Sequence, residues 1–155
     1  MNDLVEVRWH ARAGQGAKTA AQILAMAFLR NGSYAQAFPE YGPERRGAPL
    51  RAYTRAASAP IRRHDSVTTP NLVVVLERSL VDEVDVTDGL ADDGVVLVSD
   101  ATNRDVNLVM LGRAARTLGA PPLRDLESAA FEVLGAKVDP ASIRAALEEG
   151  YACPS

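Results

Sequence analysis

The chain has 155 residues, 47% hydrophobic and 24% charged, which is the size and make-up of one globular domain, taken here to run over residues 1–155. Its formal net charge of −3 and isoelectric point near 5.4 supply no broad cationic field, which argues against nucleic acid or an anionic membrane surface as partner. A single cysteine, Cys153, cannot furnish the four thiolates of an iron–sulfur cluster or structural zinc, and His10 and His64 show no metal-ligand spacing.

Leu4–Trp9 alternates apolar and polar residues and reads as a first strand. It runs into Ala11-Arg12-Ala13-Gly14-Gln15-Gly16, where two glycines permit a tight turn. Over Ala17–Arg30 the apolar positions Ala20, Ile23, Leu24, Ala27 and Phe28 recur at helical spacing, and Asn31-Gly32 is a stop signal. Tyr34–Phe38 reads as a short strand, Pro39–Pro49 as a loop, and Leu50–Arg55 as a strand again. Ala56–Pro70 is polar and basic and reads as loop, with Ala59–Ile61 the one candidate extended stretch. Leu72–Leu76 and Gly94–Val98 are unbroken β-branched runs, the pattern of strands covered on both faces. Between them Ser79–Val84 predicts one or two helical turns. Val106–Leu118, Leu123–Leu134 and Pro140–Glu149 carry helical spacing, with Asp139 placed to cap the last of them before Pro140. Strands alternating with helices predict an α/β fold: a three-layer Rossmann-like domain with a mainly parallel sheet and a helical C-terminal part.

No apolar run approaches the roughly 18 residues of a membrane span. The segment Met1–Glu6 lacks the basic-then-apolar order of a secretory leader, so a soluble, cytoplasmic protein is expected.

Two segments carry chemistry. Gly14-Gln15-Gly16 sits between a strand and a helix, where backbone N–H groups and the helix dipole favour an anion such as a phosphate. The full dinucleotide fingerprint is absent, because alanines stand at positions 11 and 13, and Gly16-Ala17-Lys18-Thr19 lacks the adjacent glycine and lysine of a P-loop. A purely structural turn, in which Gly16 lets the helix pack close, stands beside the phosphate reading. The Pro39–Pro49 loop is stiffened by Pro39, Pro43 and Pro49 and presents Glu40, Tyr41, Glu44, Arg45 and Arg46. Arginine forks there can clamp a carboxylate or phosphate of a partner or cofactor; the alternative is a solvated charge cluster. Arg62-Arg63-His64 reads as a solvated basic stretch, and His10 as a structural histidine more than an acid–base group. No nucleophile, base and orienting group come together in the sequence, so no catalytic residue is assigned.

In order along the chain, Val7-Arg8-Trp9-His10, Arg12, Gly14-Gln15-Gly16, Thr19-Ala20-Ala21 and Gln36 through Pro49 resemble the gamma subunit of the pyruvate/2-oxoacid:ferredoxin oxidoreductase family. Asn107–Gly112 is similar to the family's Asn-x-x-x-Leu-Gly helix start, and Ala145–Gly150 to its closing helix. Two departures stand out. Ala11 and Ala13 replace two of the glycines usual at the turn, and only Asp100–Val106 bridges a stretch where the family usually has a further strand and helix. The resemblance implies a non-redox subunit of an enzyme that decarboxylates a 2-oxoacid on thiamine diphosphate with Mg2+, passes electrons through iron–sulfur clusters to ferredoxin or a similar acceptor, and releases an acyl-CoA. It places those cofactors on or between alpha, beta and delta-type subunits of a hetero-oligomer. On that footing Arg45 and Arg46 are the leading candidates for interface or coenzyme A phosphate contacts, with Arg12, Gly14, Gln15 and Gly16 beside them. A free-standing nucleotide-binding module using the glycine turn, and an adaptor without ligand contact, are the competing classes.

Overall fold

The computed structural model describes residues 4–40, 47–100 and 105–153. Five strands form one sheet in the order β2-β3-β1-β4-β5: β1 (Val5–Arg12), β2 (Tyr34–Pro39), β3 (Pro49–Ala57), β4 (Leu72–Val75) and β5 (Val95–Val98). β1 pairs parallel with β4, and β4 with β5, while β3 runs antiparallel to both β1 and β2, so four of the five strands point the same way. This is the expected α/β sheet, with the β3 inversion as a local departure. The helices are α1 (Ala17–Arg30), α2 (Leu80–Glu83), α3 (Val106–Leu118), α4 (Leu123–Leu134) and α5 (Pro140–Ala152). Among the described residues no helix is long and apolar enough to cross a membrane.

The period-two alternation of β1 sorts its side chains to two different environments. Val7, Trp9 and Ala11 enter the main core with α1, α3, α4 and α5. The Trp9 indole N–H donates to Thr54 Oγ1 at 3.1 Å, and the Thr54 hydroxyl donates to the Ala21 carbonyl at 3.0 Å, which ties the sheet to α1 and satisfies the buried polar atoms. On the opposite face Val73 and Val75 pack with Leu80 and Val86, so α2 and the segment after it form a thinner outer layer.

The same outer face buries ionisable residues. Arg55, fully buried, donates to Glu6 at 2.7 Å, to Gln36 Oε1 at 3.0 Å and to the Ser66 carbonyl at 3.2 Å. Arg8 donates to His10 Nε2 at 2.9 Å and to the Val86 and Asp88 carbonyls at 2.9 and 2.7 Å.

α1 has the predicted bounds. β1 extends to Arg12 because Ala11 and Arg12 register against Leu50 and Pro49 of β3. β3 likewise runs on to Ala57, and Ala59–Ile61 lies in no strand. Asp139 does occupy the N-cap of α5, but its side chain makes no capping hydrogen bond; it accepts instead from the Ser142 hydroxyl at 3.4 Å.

Candidate site at the divergence of the parallel strands

β1 and β4 are parallel neighbours whose connections part: β1 continues through α1 to β2 and β3 on one side, β4 through α2 to β5 on the other. In open α/β sheets the crevice beyond the C-terminal ends of such strands is where ligands bind. Here the β1 side of that crevice is the Ala13–Gly16 turn, and the β4 side is Leu76–Ser79 leading into α2.

The crevice is filled by the protein's own side chains. The Arg12 guanidinium donates to Glu83 at 2.5 and 3.4 Å, to Ser79 Oγ at 2.7 Å and to the Gly47 carbonyl at 3.1 Å, and lies 3.5 Å from a Glu77 oxygen. Gln15 closes the turn on itself: its Oε1 accepts from the Arg12 backbone N–H at 2.7 Å, its own N–H donates to the Arg12 carbonyl at 3.1 Å, and its Nε2 donates to Glu77 at 3.0 Å. The Ser79 hydroxyl donates to the same Glu77 oxygen that Arg12 approaches, while Gln15 takes the other.

These bonds set the charges. The Ser79 hydroxyl, then Gln15 and Arg12, hold Glu77 below the usual carboxylate range, and Arg12 does the same for Glu83. Glu83 in turn raises the Arg12 pKa. Two ionised carboxylates thus face one guanidinium, so this part of the crevice repels a phosphate.

The phosphate reading of the turn keeps only its other side. A cleft of about 280 Å3 is lined by Ala13, Gly14, Gly16, Ala17, Lys18, Thr19 and Leu50, at the start of α1. Gly14 has φ +93° with nothing within 4 Å of an added Cβ, so glycine is needed there for conformation alone. Gly16 has φ +85°, and a Cβ would lie 2.5 Å from Asn107 Nδ2. Asn107 bonds the Gly16 carbonyl at 3.4 Å and accepts from the Leu108 N–H at 3.0 Å, so it packs the start of α3 against the turn.

Both ends of the arginine loop are anchored. On the leaving side the Glu40 N–H donates to the Arg51 carbonyl at 3.0 Å, and the Glu40 carboxylate accepts from Tyr53 at 3.1 Å with Arg51 3.5 Å away. On the returning side Arg12 holds the Gly47 carbonyl and the Ala13 N–H donates to the Ala48 carbonyl at 3.0 Å. Arg45 and Arg46, with Tyr41 and Glu44, lie outside the described residues. In the other basic stretch Arg63 pairs with Asp65 at 2.8 and 3.1 Å on the surface.

The structure therefore brings Arg12, Gly14, Gln15 and Gly16 together and adds Glu77, Ser79 and Glu83, which no local motif announced. His10 is 2% exposed, and burial, then Arg8 and Arg51, push its pKa down to about 3, which fits a neutral acceptor. Among the described residues no three His, Cys, Asp or Glu side chains converge as a metal set, and a lone Cys153 does not suit a cluster.

Residues 6–121 match the model of the pyruvate ferredoxin/flavodoxin oxidoreductase family. The pyruvate synthase subunit PorC of Methanothermobacter thermautotrophicus is 48% identical over 134 residues, covering 83% of this chain and 74% of that protein. The common gamma subunit of the pyruvate/ketoisovalerate oxidoreductases of Pyrococcus furiosus is 44% identical over 144 residues, covering 93% and 76%. The crystal structure of the pyruvate oxidoreductase subunit PORC from Thermotoga maritima superimposes with a TM-score of 0.79 at 33% identity, covering 96% of each chain. This chain, with its glycine turn and five-stranded sheet, belongs to the pyruvate ferredoxin/flavodoxin oxidoreductase family.

Proposed function

We propose that the chain is the gamma-type subunit of a multi-subunit, thiamine-diphosphate-dependent 2-oxoacid:acceptor oxidoreductase, and that it contributes a scaffold bordering the active site in place of catalytic groups. The observation that carries this is the crevice at the strand divergence: relatives of 44–48% identity are oxidoreductase subunits, and here Arg12 is committed to Glu77, Glu83 and Ser79 within the chain. A subunit whose best-placed cleft is occupied by its own ion pairs is suited to support chemistry elsewhere. Thiamine diphosphate with Mg2+ would supply the decarboxylation, and iron–sulfur clusters the electron path to ferredoxin or a similar acceptor, on or between alpha, beta and delta-type subunits.

Within that assembly this chain's task is to hold the Pro39–Pro49 segment in register. Arg12, Ala13 and Glu40 fix its two ends, and Arg45 and Arg46 between them contact neighbouring subunits or a coenzyme A phosphate. The test is purification of the full complex through this chain, with partners identified by mass. Thiamine-binding and ferredoxin-like subunits are expected together. Charge reversal at Arg45 and Arg46 should dissociate or inactivate the complex while the chain stays folded; unchanged assembly and turnover would reject the docking role.

A further inference from the structure

The two sides of the strand divergence meet at one arginine. Arg12 closes β1, and α2 lies on the β4 side. A guanidinium offers five N–H donors in a rigid fork. Here Nη1 is shared between the Gly47 carbonyl at 3.1 Å and Glu83 Oε2 at 3.4 Å, and Nη2 between Ser79 Oγ at 2.7 Å and Glu83 Oε1 at 2.5 Å. Nε faces a Glu77 oxygen at 3.5 Å. With all three nitrogens engaged inside the chain, the fork holds segments of this protein against one another.

The carboxylate that aims the fork is itself fixed. α2 is a single turn, too short to be stable by itself. Leu80, 1% exposed, plugs it into the apolar layer of Val73, Val75 and Val86, and the Val84 N–H donates to the Leu80 carbonyl at 2.9 Å. Glu83 therefore stands on a core-anchored turn and meets Arg12 at both tips, a fork-to-fork geometry that sets direction as well as attraction. At the far side of the fork, Gly47 follows Arg46 directly in the chain and has φ +79°. Its neighbour Ala48 is tied back by the Ala13 N–H at 3.0 Å before β3 begins at Pro49. An arginine bonded to one carbonyl alone keeps most of its rotamers; Glu83, with Ser79 and Glu77 beside it, removes them.

We infer that Glu83 of α2 is a positioning residue for subunit assembly: through Arg12 it fixes the Gly47 carbonyl and so the returning end of the arginine segment. The inference rests on the docking role proposed above for Arg45 and Arg46. It makes α2, on the far side of the divergence, a determinant of how that segment is presented to neighbouring subunits.

The test takes two measurements on the same variants. In the full chain, hydrogen exchange at the Ala13 amide reports the returning end directly. Glu83→Ala should speed it about two- to fivefold, the size expected for loss of a partly exposed ion pair, while the amides of β4 keep their wild-type rates. In the complex purified through this chain, Glu83→Ala should weaken retention of the other subunits. Arg12→Lys, which keeps the charge and loses the fork, should do likewise. Arg12→Glu with Glu83→Arg rebuilds the ion pair but leaves position 12 without a donor for the Gly47 carbonyl. It should recover the melting temperature and not the assembly. Unchanged exchange at Ala13 in Glu83→Ala overturns the inference. So does a swapped pair that restores assembly, since attraction alone would then suffice. Faster exchange with normal assembly overturns it as well, and charge reversal at Arg45 and Arg46, run in parallel, tells what has failed. If that variant still dissociates, the docking role stands and only the part of Glu83 in it is lost; if it too assembles normally, the docking role itself has failed.

Discussion

Arg8 Nε donates to His10 Nε2 at 2.9 Å, and the two residues lie one strand repeat apart on the same buried face of β1. The bond requires a neutral imidazole, because a protonated ring has no acceptor nitrogen. The folded chain keeps His10 neutral down to about pH 3, whereas the unfolded chain protonates it near 6.5. Between those values the unfolded state binds more protons, so His10 contributes stability above pH 6.5 that is lost as the pH falls toward 3. His10→Gln, which keeps an acceptor and cannot titrate, should lose less stability than wild type between pH 7 and pH 4 when urea midpoints are compared. An identical pH dependence in both proteins would refute the assignment.

Glu6 and Arg55 form the buried ion pair of the outer face, with Arg55 fully enclosed. Removing Glu6 leaves the buried Arg55 with Asp65, 3.6 Å away and largely exposed, as its nearest counter-charge, so Glu6→Ala should cost about 3 kcal/mol, the low end for a broken buried pair. Replacing both, as Glu6→Gln with Arg55→Met, should cost clearly less than Glu6→Ala alone. Equilibrium denaturation of the three proteins measures the difference directly.

α3 and α5 cross with glycine on each side. A Cβ on Gly112 would lie 2.8 Å from the Tyr151 nitrogen, and one on Gly150 would lie 2.7 Å from the Val109 carbonyl carbon. Backbone cannot yield as a side chain can, so Gly150→Ala should force the helices apart and cost roughly 1–3 kcal/mol, about 2–12 °C in melting temperature. Gly14→Ala meets no neighbour and is strained only by its positive φ, which predicts a smaller loss. Thermal unfolding should rank the two variants in that order.

Calorimetry of the isolated chain separates the subunit reading from a free-standing nucleotide module. With Glu77 and Glu83 ionised beside Arg12, ATP, NAD and coenzyme A should show no tight binding in the absence of partner subunits. Tight binding of any of them, abolished by Lys18→Ala, would favour the nucleotide-binding alternative.

Much of the architecture was legible in local pattern. The Ala17–Arg30 helix has its predicted bounds because Ala20, Ile23, Leu24, Ala27 and Phe28 are the face it buries, and Asn31-Gly32 ends it. Leu72–Val75 was legible as an apolar run, since a strand inside a covered sheet needs apolar groups on both sides. Val95–Val98 carries the same pattern and is a strand, but it lies at the sheet edge, where only Leu97 is buried and Val95 is exposed, so the expectation of cover on both faces does not hold there. The reversed direction of β3 left no such trace, because alternation reports which face a residue takes and is blind to strand polarity.

The site divides in the same way. Gly14 and Gly16 were marked by their conformation, which is a local property of the backbone. The fate of Arg12 was not, because Ser79 and Glu83 stand 67 and 71 residues further along the chain and meet it only when β4 docks beside β1.

By itself the sequence determined the family, the order of strands and helices, and the turn that demands glycine, because those depend on side-chain type and near-neighbour spacing. Tertiary structure alone decided that Arg8, His10 and Arg55 are buried and that carboxylates fill the crevice beside the turn. Burial and ion pairing are set by which distant segments the sheet brings within a few ångströms, and that is a property of the assembled sheet.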